Sequence, residues 1–124
     1  MITLTKLRQV LQPRLFQRWL NTKGEYDLIG SVRNDVQCPV AVYLREMLDI
    51  PYDDPAEQRI EVSVTEQSVA LQTFDEKIIT STVIPLYFTK LIERVDSHSP
   101  YATYSTTVYI SAGKLREITH TLSS

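Results

Sequence analysis

Proline decides where the helices of this chain can begin. A residue with no backbone N–H and a fixed φ fits the first turn of a helix and breaks a helix interior. Pro13, Pro39 and Pro85 each stand at the head of a segment with apolar residues at helical spacing. Ahead of them, Thr3 or Thr5 can cap a first helix with Leu4, Leu7, Val10 and Leu11 on one face. Pro13 either kinks that helix or starts a second one, along which Leu15, Phe16, Trp19 and Leu20 recur until Asn21 to Gly24. Pro39 suits the first position of the best-punctuated helix, apolar along Val40, Tyr43, Leu44, Met47 and Leu48, ending near Asp49 before Pro51. Pro85 opens another, striped by Phe88, Leu91, Ile92 and Val95 and ending around Asp96 to Pro100. Ser111 can cap a last helix through Leu115 and Ile118.

Strands fill the spaces between. Residues 26–32, YDLIGSV, read as short and extended. Ile60, Val62 and Val64 alternate with Glu61, Ser63 and Thr65, the period of a half-buried strand. A polar break at Glu66 to Ser68 leads to a second run, Val69 to Phe74, so the pair reads as a hairpin. Lys77 to Ile84 adds a β-branched strand, and residues 101–110, YATYSTTVYI, favour another. The acidic stretch 52–58 reads as a loop in which Asp54 caps one helical turn through Pro55 and Glu57. The expectation is an α+β fold: a small antiparallel sheet of three to four strands packed with three to four helices, in one globular domain over residues 1–124.

Composition bounds the rest. A chain of 124 residues, 43% hydrophobic and 23% charged, can bury enough surface to fold without a disulfide or a metal. Its one cysteine, Cys38, cannot form an internal disulfide, which fits a reducing compartment. The first twenty residues carry scattered charge and do not read as a signal peptide, and no apolar run is long enough to span a bilayer. The expectation is a cytoplasmic protein away from membranes. Net charge is −2 but unevenly placed. Residues 1–23 hold Lys6, Arg8, Arg14, Arg18 and Lys23 with no acid, whereas residues 51–79 hold seven acids against Arg59 and Lys77.

Two apolar motifs carry a resemblance. Phe16-x-x-Trp19-Leu20, followed by Cys38-Pro39-Val40-Ala41-x-Tyr43-Leu44, resembles a pattern in small bacterial and phage-associated proteins that reads F-x-x-W-L and then C-P-L-A-x-Y-L. Val40 replaces the usual Leu, and Leu86, with Tyr87 beside it, stands where an aromatic residue is expected after Pro85. The resemblance spans most of the chain. It implies a bacterial origin, in the direction of mobile elements, and brings no activity with it.

Four groups are candidates for function. Cys38 precedes a helix N-terminus, where a thiol can become nucleophilic, yet neither His98 nor His120 is placed nearby by sequence to act as its base. The plainer expectation is a small buried residue at the helix entry. Arg14 and Arg18, four apart on one helix face, can track a phosphate backbone together with Lys6 and Arg8, although a pI near 5.6 shows no basic excess. A solvated face, or one paired with the acidic middle, is the alternative. Asp49, Asp53, Asp54 and Glu57 lack the spacing and the glycine of a calcium loop, so capping and solvation explain them better. Tyr101, Tyr104 and Tyr109 can form an interface patch or pack within the sheet.

Three glycines make no phosphate loop, and no Cys-x-x-Cys, His-Glu-x-x-His or Gly-x-Ser-x-Gly occurs. No cofactor or metal is expected. These absences, with the segregated charge and the tyrosines, favour a small non-enzymatic protein that binds another protein, with a homo-oligomer left open. Nucleic-acid binding through the basic N-terminal helix and a thiol-dependent enzyme at Cys38 are the alternatives.

Overall fold

The computed structural model describes residues 3–34, 36–50, 60–73, 77–98 and 107–122. The fold is α+β, with five helices and two small antiparallel sheets among these residues. In chain order the elements are α1 (Leu4–Val10), α2 (Pro13–Asn21), β1 (Leu28–Ser31), α3 (Pro39–Met47), β2 (Ile60–Val64), β3 (Ser68–Thr73), β4 (Ile78–Val83), α4 (Leu86–His98), β5 (Tyr109–Ser111) and α5 (Ala112–His120).

The local chemistry sets the helix limits. Thr3, not Thr5, caps α1 by accepting a bond from the Lys6 amide at 3.1 Å. Gln12 and Cys38 are both extended, as residues before proline are driven to be, and so each breaks the chain ahead of a new helix. Pro13 therefore starts α2 rather than kinking α1. Pro85 opens α4 from the position before it: its carbonyl accepts bonds from the Phe88 and Thr89 amides, and α4 begins at Leu86. Ser111 caps α5, its hydroxyl accepting from the Lys114 amide at 3.2 Å. α3 ends in a Schellman turn, with the Ile50 and Asp49 amides bonded to the Arg45 and Glu46 carbonyls and Asp49 in the left-handed region at φ 55°.

The strands divide between two sheets. β2, β3 and β4 form a meander in that order, with Val62, Val64, Val69 and Leu71 turned to the core. The Thr65 hydroxyl accepts the Gln67 and Ser68 amides and closes the first turn. The register of β3 against β4 slips once: Leu71 faces Thr80 and Gln72 faces Ile78, leaving Ile79 as the extra residue of a bulge. β1 pairs instead with β5, from the other end of the chain, as a two-stranded ribbon. Residues 101–106 of the expected last strand lie outside the described residues, as does the expected helical turn at 54–57.

One core cluster joins all of this. At its centre the Phe16 ring meets Tyr43 at 5.1 Å and Trp19 and Phe88 at 5.6 Å each. The Tyr43 hydroxyl donates to the Val10 carbonyl and fastens α3 to the end of α1. Burial pushes this phenol up to about 12. Arg45, buried, donates to the Ile50 and Ile60 carbonyls, the two ends of the α3–β2 connection. Arg116 on α5 donates to the Leu20 and Lys23 carbonyls and so closes the end of α2.

Candidate functional site

The β1–β5 ribbon owes its position to two backbone devices. The first is Gly30, at φ 148°, a conformation that side chains exclude. A Cβ there would come within 2.7 Å of the Pro39 nitrogen and 2.9 Å of the Cys38 and Gln37 backbone, so β1 rests directly on the entry to α3. The second is the turn over residues 24–27. The Asp27 side chain accepts the Gly24 amide at 2.8 Å, and the Glu25 and Asp27 carbonyls accept the Gly113 and Ala112 amides at 2.9 and 2.8 Å. Those are amides that the first turn of α5 cannot satisfy itself. The turn is thus locked against α5, and its side chains point out.

Three large side chains stand exposed on this ribbon: Tyr26 at 87%, Leu28 at 65% and Tyr109 at 58% of their free surface. Leu28 faces Ser111 and Tyr109 faces Ser31, with a register shift between the two pairs, and Leu28 and Tyr109 are both exposed. Leu28 also forms one wall of an open depression of about 310 Å³, with Trp19, Lys23, Asp27, Val42 and Glu46. The polar groups of that depression are engaged with one another. The Trp19 indole N–H donates to Glu46 Oε2 at 2.6 Å, Lys23 Nζ lies 3.1 Å from Glu46 Oε1, and the same ammonium sits 5.2 Å from the Trp19 ring centre. Glu25 and Asp27 are exposed beside it, so the margin of the patch is acidic. Nothing in this arrangement supplies a nucleophile with a base; what it offers is a shaped apolar and acidic surface.

Of the residues singled out in the sequence, Tyr109 belongs to this patch, while Tyr101 and Tyr104 lie outside the described residues. Tyr26 and Leu28 were not anticipated. Their signal was the apolar Leu28 at an outward position of a short strand, which pattern alone does not distinguish from core. Cys38 is buried at the N-cap of α3 and in no disulfide. His120 is exposed in the last turn of α5, in a depression walled by Gln17, Asn21, Arg116 and Thr119. The structure does not bring that imidazole to the thiol. The side chain of His98 is outside the described residues. Arg14 and Arg18 are exposed on α2, and the ion pairs among the described residues, Lys23 with Glu46 and Lys114 with Glu117, do not include them. Arg8 donates to the Thr82 hydroxyl, and Lys6 is exposed. Asp49 serves the end of α3; Asp53, Asp54 and Glu57 lie outside the described residues. Among the described residues no three His, Cys, Asp or Glu side chains gather as metal ligands, and no helix is long and apolar enough to cross a membrane.

No family model, curated protein or solved structure matches the chain.

Proposed function

We propose that this chain is a non-enzymatic protein-interaction module, acting in the cytoplasm, and that Tyr26, Leu28 and Tyr109 are its contact residues. One observation carries the reading: three large exposed side chains sit on a ribbon whose backbone is already bonded to α5 and packed on α3. Such a ribbon presents side chains at little further conformational cost, and tyrosine is enriched among residues that dominate binding energy. The acidic margin of Glu25 and Asp27 selects a partner surface in which an apolar side chain is flanked by Lys or Arg. The bacterial, mobile-element origin suggested by the motifs around Trp19 and Cys38 belongs to the same proposal, and makes a host or element protein the natural partner.

The test begins with a tagged chain in its native host at low salt. A protein retained by the wild type is purified and titrated against Y26A, L28A and Y109A. Loss of about 2 kcal/mol, or roughly thirtyfold in affinity, at one or more of these positions with unchanged thermal stability is the expected result. Equal affinity for all three variants overturns it. Retention of nucleic acid instead, with an affinity that falls with salt and with R14A and R18A, transfers the function to the exposed arginines of α2.

A further inference from the structure

β4 is the last strand of its sheet; α1 packs against it, with Arg8 Nε donating to the Thr82 hydroxyl, and among the described residues no strand pairs with its outward edge. The Ile84 amide bonds the Gln67 carbonyl, and the register continues through Val69 opposite Thr82 and Leu71 opposite Thr80. Alternation then assigns the bonds to β3 to Thr80 and Thr82, and leaves the N–H and C=O of Ser81 and Val83 pointing away from the sheet. Natural proteins blunt such an edge with charge, proline, cover or a bulge, and the bulge at Ile79 does so at the start of β4, leaving Thr80 to Val83 regular. The segment Ile78–Val83 reads IITSTV, without charge or proline, and Val83, Ile78 and Ile79 are exposed by 79%, 65% and 45%. The opposite edge is engaged at its first residue. β2 carries its outward Ile60 carbonyl already bonded to Arg45, and α3 packs along it.

We propose that a second copy of this chain covers β4: two β4 strands pair antiparallel about a two-fold axis through Ser81, making one six-stranded sheet. Antiparallel neighbours share a face, so a two-fold pairing must set a residue against itself. Centred on Ser81, it places Ser81 opposite Ser81 of the partner subunit, and the regular pairing ends at Ile79, where β4 bulges. Thr80 comes opposite Thr82 of the partner subunit. Each of these is a favourable cross-strand pair, β-branched on β-branched or hydroxyl on hydroxyl. The outward groups of Ser81 and Val83 are those that a hydrogen-bonded pair at this centre requires. Because β2 is blocked at Ile60, the assembly closes at two. This surface is separate from the ribbon, and the proposal stands whether or not the ribbon binds a partner.

Sedimentation or light scattering of the full chain at increasing concentration gives the first result. A species of twice the 14.3 kDa chain is expected, and a mass of 14.3 kDa throughout overturns the proposal. S81K sets two ammonium groups against each other across the axis, and the folded variant should run as a single chain. Mixing S81K with S81E should restore a dimer containing one of each. L28K, on the ribbon, should leave the dimer intact. A dimer that survives S81K, or that L28K dissociates, lies elsewhere and overturns the assignment. If S81K does not fold, S81C decides. Facing residues of such a pair have Cα atoms about 5.5 Å apart, within disulfide reach. Mild oxidation should yield a covalent dimer from S81C and none from the wild type, whose single thiol at Cys38 is buried. No cross-link in S81C overturns the proposal.

Discussion

The ribbon and the β4 edge of the three-stranded sheet both expose apolar side chains, but they offer a partner different things. On the ribbon the β1 side of the backbone is bonded: Val32 and Ser31 donate to the Val108 and Gln37 carbonyls, and the turn at 24–27 satisfies α5. Recognition there has to come from Tyr26, Leu28 and Tyr109. At β4 the side chains are smaller and uncharged; the Val83 carbonyl accepts from the Thr82 hydroxyl at 3.5 Å, and the outward backbone of Ser81 is what is offered. The first surface suits a partner of particular shape and charge; the second suits another strand, and is symmetric enough to accept its own copy. The two therefore break in different ways.

The largest effect is expected at Gly30. An alanine there meets both a forbidden φ and backbone atoms that cannot swing aside, so G30A should destabilise the fold by more than about 3 kcal/mol. Denaturant unfolding measures it. The comparison is sharpened by where the damage goes. If the ribbon is an independent appendage, G30A will free β1 and β5 while the meander stays protected from amide exchange. The shared core cluster and the packing of α3 against both β1 and β2 predict instead that both sheets lose protection together.

Tyr43 tests that linkage more gently. Its phenol titrates near 12 in the fold and near 10 when unfolded, so the neutral form is the one the fold prefers. Its stabilising contribution is complete below about pH 10 and is lost as pH rises toward 12. The loss amounts to about 2–3 kcal/mol across that window. Y43F should be less stable at neutral pH by about 1 kcal/mol, because the Val10 carbonyl loses its donor. It should lose less stability than the wild type between pH 10 and 12. Parallel alkaline transitions in the two proteins would remove Tyr43 as the cause.

These expectations show which parts of the molecule were legible in the sequence. Pro13 and Pro39, the hydroxyls of Thr3 and Ser111, and the alternation from Ile60 to Val64 act within a few residues, and the elements they predict are present. Pro85 opens α4 as expected, its carbonyl accepting the first bonds of the helix. The pairing of β1 with β5 was not legible, because the alternation of a short strand names a face and not a neighbour. For the same reason the exposure of Leu28 and Tyr26 was hidden: it follows from the bonds of Glu25 and Asp27 to α5, which join distant segments. β4 was legible as a strand. Its position at the end of the sheet, against α1 on one side and with no strand among the described residues at its outward edge, is a property of the assembly of strands and not of IITSTV.

The smallest effect on the fold is also the one that separates the two surfaces most cleanly. Tyr26, Leu28 and Tyr109 contribute little buried area, so Y26A, L28A and Y109A should each shift thermal stability by no more than about 0.5 kcal/mol. None touches β4, so none should alter the mass of the chain in solution. Their expected effect is confined to partner affinity. S81K should show the reverse, a changed mass with an unchanged affinity per chain for a partner bound at the ribbon. Measuring mass and affinity on both sets of variants gives four outcomes, and only opposite responses fit two separate surfaces. If Y109A alters mass and affinity together, the dimer is made at the ribbon and not at β4, and the assignment of the pairing to Ser81 falls.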